Sequence, residues 1–425
     1  MQKTEILNII RSDEFILKLK DIYLDDNVID YQVTRYMAAV TKFEMLFGDG
    51  DISIFSSPGR CEIIGNHTDH QHGKVIAAAV NTDAIAVVKK TGDDNVRIVS
   101  GDNSELCINT GDLEKKESEE GTSAAVVKGV MSGLKGMGYE LGGFSAYITS
   151  DVPIGSGLSS SASFEVLIGN IISDLFNENK IGAADIAIVG QYAENLYFGK
   201  PCGLMDQMAC SVGGQVYIDF NNPADPKVET IGFDLNELGY SVCITDTKGS
   251  HENLTAEYAA IPNEMKSVAS EFGKEVLNDV DKKEFLERMG ELRDKCSDRA
   301  ILRALHYFNE NDRVINQAEA MKDNNLGRFL ELENESGRSS CMYLQNIYVC
   351  NDSKQRNISL ALAKSEEILA NTGAFRVHGG GFAGTIQAFV PCEMISKYKE
   401  GMDSLFGHGA CSVLKVRKYG GMKVL

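Results

Sequence analysis

Hydrophobic residues change their spacing within residues 144–175, and the change predicts a strand, a turn and a helix. Apolar and small polar residues alternate from Phe144 to Ser150, which is the period of a half-buried strand. Farther on, apolar residues recur with helical spacing at Phe164, Val166, Leu167, Ile168, Ile171, Ile172 and Leu175. The residues between them, 152–163, are rich in glycine and serine. The pattern therefore predicts a strand that leads through a Gly- and Ser-rich turn into a helix.

The turn has the composition of a phosphate-binding loop, and we call residues 152–163 the cradle. Gly155 and Gly157 have no Cβ, so the backbone can approach a ligand closely. The amides that follow point out of the helix N-terminus, where the helix dipole favours an anion. Ser159, Ser160 and Ser161 add hydroxyl donors and a candidate Mg²⁺ ligand. Serines that merely cap a helix would produce the same pattern, so the turn alone leaves both interpretations open.

The cradle differs from the two common phosphate-binding loops. A Walker A loop has a lysine before its Ser or Thr, and no lysine occurs between Gly138 and Asn179. The dinucleotide-binding fingerprint has a third glycine where Ser160 stands in this chain. The cradle is therefore a candidate phosphate site of another class.

The rest of the chain predicts alternating strands and helices after a helical N-terminal stretch, residues 1–48. Strands are predicted at 52–55, 61–64, 75–80, 215–220, 240–245, 384–390 and 411–416. Helices are predicted at 123–137, 183–198, 252–272, 282–309, 313–322, 328–335 and 353–372. Polar residues 91–123 predict a solvated loop, and Gly213-Gly214 is a candidate boundary before a second α/β unit.

Composition excludes several classes of partner. A length of 425 residues predicts two or three domains, and a hydrophobic fraction of 43% is ample for sizeable cores. A net charge of −19 argues against nucleic acid or an anionic membrane as a partner, because both bind basic surfaces. We find no membrane-span-length apolar run, no signal-peptide pattern and no C-x-x-C pair among ten cysteines. We therefore expect a cytoplasmic protein that holds any anionic substrate by helix dipoles, one or two basic residues and a cation.

Residues 65–73, the histidine loop, concentrate hydrogen-bonding side chains. His67, His70 and His72 with Asp69 could form a metal cluster, but their spacing fits no common zinc framework. Hydrogen bonding to a substrate is a second interpretation, and for His70 and His72 the sequence favours a solvated turn. The sequence therefore favours these two interpretations over a metal site in this loop.

Two carboxylates in the second quarter of the chain are candidates for chemistry. Glu194 lies beside the apolar stripe of the predicted helix 183–198, where it is either solvated or part of an Mg²⁺ site. Asp206 follows a turn and precedes a helix, so it either caps that helix or accepts a proton from an attacking hydroxyl.

Four stretches together resemble one enzyme family. Residues 57–73 resemble the galactokinase signature P-G-R-x-N-L-I-G-E-H-T-D-Y, and residues 202–207 resemble its C-G-I-M-D-Q segment. The cradle resembles the GHMP-kinase motif P-x-G-x-G-L-S-S-S-A-S, and residues 376–385 resemble the third motif, a G-G-G-F-G-G loop. The resemblance spans roughly residues 50–390. It implies an α+β fold of two lobes, 1–213 and 214–425, each a mixed sheet layered with helices, with sugar and ATP in the cleft between them.

The resemblance also implies roles for individual residues in the transfer of phosphate from ATP to the C1 hydroxyl of galactose. Asp206 would face the anomeric hydroxyl, and Arg60 would be the cation beside it. The implied sugar contacts are Asn66, His67, Asp69, Gly203 and Tyr258. The implied nucleotide contacts are Gly155, Ser156, Gly157, Leu158, Ser159, Ser160 and Ser161. Mg²⁺ would bind at Ser161 and Glu194.

The chain departs from the family pattern at several positions. The family Glu that reaches the C6 hydroxyl is Asn66 here, and the family Asn four residues earlier is Glu62. A neutral amide repels a C6 carboxylate less, so a C6-modified sugar such as galacturonate is an alternative substrate. In the third motif, His378, Ala383 and Thr385 replace Thr, Gly and Cys.

Two further interpretations of the whole chain differ in function. Kinases for mevalonate or homoserine share the fold but lack the G-x-H-T-D loop that this chain retains. A galactokinase-like sensor would bind sugar and ATP without transferring phosphate, although such sensors can arise by deletions in the cradle, which is intact here. The sequence predicts neither an oligomeric state nor the choice between ATP and GTP.

Overall fold

Two β-sheets layered with helices form the chain, as described by a computed structural model for residues 3–153, 155, 157–250, 254–349 and 353–425. The strands are β1 Ser53–Ile64, β2 Lys74–Lys90, β3 Asn95–Ser100, β4 Leu106–Asn109, β5 Phe144–Ser150, β6 Gln215–Asp219, β7 Lys227–Ile231, β8 Tyr240–Asp246, β9 Ala374–His378, β10 Thr385–Pro391, β11 Cys411–Leu414 and β12 Met422–Lys423. The helices are α1 Lys3–Ile10, α2 Asp13–Tyr23, α3 Ile29–Phe47, α4 Ser123–Gly136, α5 Ser160–Asn177, α6 Ala183–Tyr192, α7 Met205–Val212, α8 Thr255–Ser270, α9 Lys282–Leu292, α10 Asp298–Lys322, α11 Leu326–Ser339, α12 Asn357–Leu369 and α13 Ile395–Phe406.

The larger sheet has eight strands, and the smaller one has four. The larger sheet runs β12-β1-β2-β5-β3-β4, and β6 and β7 extend it from β2. Its only parallel pair in the described part of the chain is β3 with β5. The smaller sheet is antiparallel in the order β11-β8-β10-β9. Mixed sheets covered by helices confirm the predicted α+β class.

Strand β2 shows how the larger sheet is buried on both faces. Ala84, Ala86 and Val88 belong to the hydrophobic cluster beneath α4 and α5. Ile85 and Val87, which alternate with them, belong to the cluster beneath α1, α2 and α3. Because side chains of a strand alternate between faces, the same strand anchors both helical layers. The N-terminal helices therefore cover the face of the sheet opposite α5.

Strand β1 continues through Pro58-Gly59, where the sequence predicted a loop between two strands. That prediction is wrong because the pairing of β1 with β2 shifts register between Pro58 and Arg60, where an irregular ladder tolerates a proline without an N–H. The uninterrupted strand also approaches the cradle closely. The backbone N–H of Arg60 donates to Leu158 O at 3.0 Å, and a Cβ at Gly59 would lie 2.8 Å from the same oxygen.

Other boundaries also differ from the predictions. The predicted solvated loop 91–123 contains β3 and β4, and Val96 and Ile98 are buried because β3 pairs with β5. The predicted helix 282–309 is interrupted after Leu292, and α10 continues through the predicted gap at 310–312. Strands β7 and β12 were not predicted. The predicted helix 252–272 begins outside the described residues and is α8 within them.

The strands that follow residue 213 bear on the predicted division of the chain. Strand β6 pairs with β2, and β12 pairs with β1, so parts of 214–425 complete the larger sheet. The division into lobes 1–213 and 214–425 stays a prediction. Among the described residues, no helix combines the length and the apolar character needed to cross a membrane.

Candidate functional site

The cradle lies between the end of β5 and the start of α5, as predicted. Gly155 and Gly157 have φ values of 77° and 75°, and Ser159 has a φ of 56°. The hydroxyl of Ser159 does not cap α5; it donates to the Asp206 carboxylate. The side chain of Leu158 is buried in the core, and its backbone carbonyl accepts from the Arg60 N–H. Ser160 and Ser161 are half-buried at the helix start. Ser156 lies outside the described residues, so its predicted nucleotide contact does too.

Arg60 holds Asp206 through two parallel hydrogen bonds. Its Nε donates to Oδ1 at 2.7 Å, and its Nη2 donates to Oδ2 at 2.5 Å. Its Nη1 donates to the carbonyl of Gly157. Arg60 comes from β1, and Asp206 lies in the first turn of α7. One guanidinium therefore joins a carboxylate from α7 to the backbone of the cradle.

Charge controls the protonation state of Asp206. Burial alone would raise the pKa of Asp206, but the charge and hydrogen bonds of Arg60, with the hydroxyl of Ser159, outweigh burial and hold that pKa below its ordinary value. The carboxylate is thus ionised near neutral pH, and its side chain is 29% exposed. An ionised, accessible carboxylate can accept a proton from a bound hydroxyl.

A second carboxylate, Glu194, lies beside the start of α5. Helix α6 continues into a wider helical turn, Ala193–Phe198, which carries Glu194 inward until its side chain is 4% exposed. Ser161 Oγ donates to Glu194 Oε1 at 3.3 Å, Lys200 Nζ lies 2.9 Å from the same oxygen, and Gln207 Nε2 donates to Oε2 at 3.0 Å. The described residues contain no cluster of three His, Cys, Asp or Glu that could hold a metal. A hydroxyl and a carboxylate fit Mg²⁺, which prefers oxygen ligands and takes few from a protein when substrate phosphates supply others.

Glu165 extends this carboxylate group deeper into α5. Gln207 Nε2 donates to Glu165 Oε2 at 2.9 Å, so one amide contacts both Glu165 and Glu194. Burial, with the nearby negative charge of Glu194, raises the pKa of Glu165 to about 8. Glu165 Oε1 has no hydrogen-bond partner among the described residues. Glu165 is therefore protonated near neutral pH.

The histidine loop is held by a chain of hydrogen bonds. His67 Nε2 lies 3.1 Å from Gly380 O, which can only accept, so Nε2 carries the proton. His67 Nδ1 then accepts from His70 Nε2 at 3.3 Å, and His70 Nδ1 accepts from Gln71 Nε2 at 3.2 Å. Burial lowers the pKa of both histidines, so both rings are neutral. The carbonyl of Gly380 thus connects this series of hydrogen bonds to the glycine loop, residues 379–384.

Asn66 is bound within the protein. Its Nδ2 donates to Gly379 O at 2.7 Å and to Glu62 Oε1 at 3.3 Å. Its Oδ1 accepts from Asn346 Nδ2 at 2.9 Å and from the Ser340 hydroxyl at 3.5 Å. These bonds use both donors and both lone pairs of the amide, and Asn66 is 1% exposed. The predicted sugar contact of Asn66 stays a prediction, while its contacts tie the histidine loop to the glycine loop.

Asp69, Gly203 and Tyr258 surround the same region. A Cβ at Gly203 would collide with Asp69 Oδ2, so only glycine lets the two approach. Burial raises the pKa of Asp69 to about 6. Tyr258 OH donates to Gly381 O at 2.9 Å, and its ring lies against Gly380. Three of the five predicted sugar residues, Asn66, His67 and Tyr258, therefore contact the glycine loop, whereas Asp69 and Gly203 contact each other.

The glycine loop and its flanks also contact the cradle and β1. His378 Nε2 accepts from the Glu62 backbone N–H at 3.2 Å, and His378 Nδ1 donates to Thr385 Oγ1 at 3.1 Å. A Cβ at Gly157 would lie 3.0 Å from His378 Nδ1. Burial lowers the pKa of His378 to about 3, so the ring is neutral. Arg376 donates to the Glu62 carboxylate at 2.5 Å. Two of the three replacements in the third motif, His378 and Thr385, therefore lie behind Gly157 of the cradle.

Comparison with known proteins agrees with this geometry. Residues 41–90 match the galactokinase galactose-binding signature, and residues 124–214 match the GHMP kinases N terminal domain. The chain is 30% identical over 373 residues to galactokinase from Glaesserella parasuis, covering 85% of this chain and 91% of that protein. It is 32% identical over 367 residues to galactokinase from Clostridium beijerinckii, covering 84% and 90%. The chain belongs to the galactokinase family.

Solved structures show the same fold. Lactococcus lactis galactokinase complexed with galactose superposes with a TM-score of 0.77 at 26% identity, covering 92% of this chain and all of that one. Methanococcus jannaschii mevalonate kinase superposes with a TM-score of 0.60 at 17% identity, covering 86% of this chain and 99% of that one, which shows the fold alone. The chain is thus a GHMP kinase: a phosphotransferase with an alcohol acceptor that uses ATP.

Sequence reasoning missed Lys200, Gln207 and Glu165 as members of the site. Gln207 belongs to the segment compared with C-G-I-M-D-Q, and Lys200 precedes that segment by two residues. The sequence could therefore have identified both. Glu165 follows the cradle by two residues and interrupts an apolar stripe, which is the signal that could have marked it.

Proposed function

We propose that this chain transfers the γ-phosphoryl group of ATP to the C1 hydroxyl of galactose and produces galactose 1-phosphate. The observation that carries the proposal is the guanidinium of Arg60, which bonds the Asp206 carboxylate and the Gly157 carbonyl at once. It links a proton acceptor, a cation and a phosphate loop in one contact. The choice of galactose as the acceptor follows from the similarity to galactokinases.

Asp206 accepts the proton of the anomeric hydroxyl, which is more acidic than an ordinary alcohol. The resulting oxygen attacks the γ-phosphorus, the new P–O bond forms as the bond to ADP breaks, and ADP leaves. Phosphoryl transfer requires little covalent chemistry from a protein, so positioning and charge neutralisation account for most of the acceleration. Arg60 keeps Asp206 ionised and faces the transferring group. The amides at the start of α5 neutralise phosphate charge.

Mg²⁺ supplies further charge neutralisation on the phosphates when it is bound. Ser161 Oγ and Glu194 Oε1 are the protein oxygens we assign to it, and the remaining ligands would be phosphate oxygens and water. Gln207 keeps the Glu194 carboxylate oriented through its bond to Oε2.

The adenine would enter a cavity beside the cradle. This cavity of about 320 Å³ is lined in part by Ile98, Leu106, Ala124 and Phe164. Phe164 lies on α5, one turn beyond Ser160, so the cavity adjoins the phosphate site. The remaining lining residues are polar, among them Asn103 and Thr122, so a slot of this size next to a phosphate loop offers both apolar surface and hydrogen-bonding groups to a flat base.

A C6-modified sugar such as galacturonate is a second candidate acceptor. The observation that favours it is Asn66, whose neutral amide is bonded to Gly379 and Asn346 where the family has a carboxylate that reaches the C6 hydroxyl. Without that carboxylate, an acidic group at C6 meets less repulsion.

A sugar panel tests both candidates. The purified protein is given ATP with galactose, 6-deoxygalactose, galacturonate, mevalonate or homoserine, and ADP release is followed with and without Mg²⁺. We expect galactose to give the highest kcat/KM and the rate to require Mg²⁺. Galactose being the poorest of the sugars would overturn the proposal, and galacturonate being the best would establish the second candidate. Calorimetric binding of sugar and ATP without any ADP would identify a sensor instead.

A further inference from the structure

Lys200 is bound to the carboxylate that we assign to Mg²⁺. Its Nζ lies 2.9 Å from Glu194 Oε1, the oxygen that also accepts from Ser161 Oγ. The other oxygen, Oε2, is engaged by Gln207 Nε2. A cation held by Ser161 and Glu194 and the ammonium of Lys200 therefore need the same carboxylate oxygen.

The backbone fixes the origin of Lys200 beside Glu194. The turn Ala193–Phe198 ends at Gly199, whose φ of 84° reverses the chain. The backbone N–H of Lys200 then donates to the Glu194 carbonyl at 3.1 Å. Because that peptide bond is pinned, only the flexible stem of Lys200 decides where its ammonium lies.

The two partners differ in their freedom to move. The side chain of Glu194 is 4% exposed, whereas that of Lys200 is 62% exposed. A four-carbon stem that approaches from solvent can withdraw, but a buried carboxylate bonded to Gln207 and Ser161 cannot follow it. An unpaired buried carboxylate is unfavourable, so the ammonium stabilises Glu194 as long as no other cation is present.

A divalent cation reverses this balance. The ammonium and the metal ion repel each other at contact distance, so both cannot bind Glu194 Oε1 together. The metal ion carries the larger charge. When it binds with a nucleotide, the phosphates offset its repulsion by the positive N-terminal end of the α5 dipole. The charge of Lys200 also helps to lower the pKa of Asp206, so its ammonium acts on both carboxylates.

We propose that Lys200 is a counterion within the protein that occupies Glu194 until a divalent cation displaces it, which weakens cation binding to the nucleotide-free protein. The proposal rests on the proposed function, because the cation site at Ser161 and Glu194 belongs to that function. It assigns a role to a residue outside the motifs that the chain shares with its family.

The test measures Mn²⁺ binding to the full chain without nucleotide or sugar, by the electron paramagnetic resonance signal of free Mn²⁺. Lys200→Gln removes the charge and keeps most of the length of the side chain. Lys180→Gln is the matched control, since Lys180 is an exposed lysine of an ion pair with Glu178 in the same part of the chain. Both variants change the net charge equally.

We expect Lys200→Gln to bind Mn²⁺ at least about threefold more tightly than the unchanged protein, the effect of removing one partly exposed competing charge, and Lys180→Gln to match the unchanged protein. The Mg²⁺ concentration that gives half the maximal rate should fall in the same ratio. Equal or weaker Mn²⁺ binding by Lys200→Gln would overturn the proposal.

Glu194→Gln separates this inference from the proposed function. If Glu194→Gln abolishes Mn²⁺ binding while Lys200→Gln leaves it unchanged, the cation site stands and the counterion role is wrong. If Glu194→Gln changes neither Mn²⁺ binding nor the Mg²⁺ dependence of the rate, the cation site itself is wrong, and with it the counterion role. If Lys200→Gln binds Mn²⁺ more tightly and this gain disappears in the double variant Lys200→Gln/Glu194→Gln, both the cation site and the counterion role are supported.

Discussion

Arg60 and Asp206 face each other through a two-point contact, with Nε 2.7 Å from Oδ1 and Nη2 2.5 Å from Oδ2. Planar guanidinium and carboxylate groups match in this arrangement, which fixes the orientation of both. The contact also sets the charge of Asp206, since Arg60 opposes the effect of burial on its pKa. Position and protonation of the proposed base therefore depend on one neighbour.

Replacing either partner should abolish most of the activity. Asp206→Asn removes the proton acceptor, and Arg60→Ala removes a preorganised charge, so we expect kcat to fall by at least about 10²–10³ in each. ADP release in the presence of galactose measures the loss. Arg60→Lys keeps the charge without the two-point contact and should give an intermediate rate. Near-normal turnover of Asp206→Asn in a protein that melts like the parent would refute the assignment.

Asp83 is the centre of a buried charge cluster, and its loss should destabilise the fold. Arg35 Nη1 lies 2.7 Å and Arg417 Nη1 3.3 Å from its carboxylate, and Tyr23 OH donates to it at 2.8 Å. Asp83→Asn would leave the buried Arg417 guanidinium without its counterion and Arg35 with Asp151 alone, and breaking a buried ion pair in this way costs about 3–5 kcal/mol of unfolding free energy. Urea unfolding measures it.

Asp112→Asn is the control for Asp83→Asn, because Asp112 forms an exposed ion pair with Lys116. It should change the unfolding free energy far less. Equal effects of the two replacements would show that the buried cluster contributes no more to stability than a surface pair.

The two glycines of the cradle form a matched pair for testing close approach. Both have positive φ, so alanine at either position is strained by about 1–2 kcal/mol. A Cβ at Gly155 meets nothing within 4 Å, but one at Gly157 lies 3.0 Å from His378 Nδ1 and 3.1 Å from Thr385 Oγ1. We therefore expect Gly157→Ala to raise the KM for ATP more than Gly155→Ala. Equal KM values would exclude a role for this contact.

Local patterns predicted the elements that depend on local chemistry. The alternation of β5, the glycines of the cradle and the helical spacing of α5 lie within residues 144–177, and all three elements form there. Strand β3 was missed because it lies in a polar stretch and is buried only by pairing with β5, about fifty residues later. The sequence predicts a turn at the proline of β1, because a register shift between two strands has no local signature.

In the candidate site, too, local patterns predicted some features and long-range packing determined the others. Motifs located Arg60 and Asp206, which the structure bonds to each other, and the family resemblance pointed to Glu194, which lies beside Ser161 at the start of α5. The bonds of Asn66 to Gly379 and Asn346 join residues 313 and 280 positions apart, so no spacing rule could predict that its amide is fully used. Sequence patterns identify which side chains are available, whereas the packing of distant segments decides what those side chains bind.

Glu62 and Asn66 exchange the residue types of the family pattern and touch each other, which predicts energetic coupling. Asn66 Nδ2 lies 3.3 Å from Glu62 Oε1, and Arg376 neutralises that carboxylate. Asn66→Glu alone would place a second carboxylate in this buried site and destabilise it. Adding Glu62→Asn removes the repulsion, so the double variant should be more stable than the sum of the single variants by about 0.5–3 kcal/mol. Additive unfolding free energies would contradict the coupling.

Glu165 predicts how stability depends on pH. Its folded pKa of about 8 lies above the unfolded value of about 4.3, so the folded protein binds a proton there that the unfolded chain has lost. Stability from this group is complete below about pH 4 and declines as the pH rises toward 8, by at most about 1.4 kcal/mol per unit. Glu165→Gln is neutral at every pH and can still accept from Gln207. Urea unfolding at pH 6 and pH 8 should therefore show a smaller loss of stability in Glu165→Gln than in the parent, and parallel losses would mean that Glu165 is already ionised at pH 6.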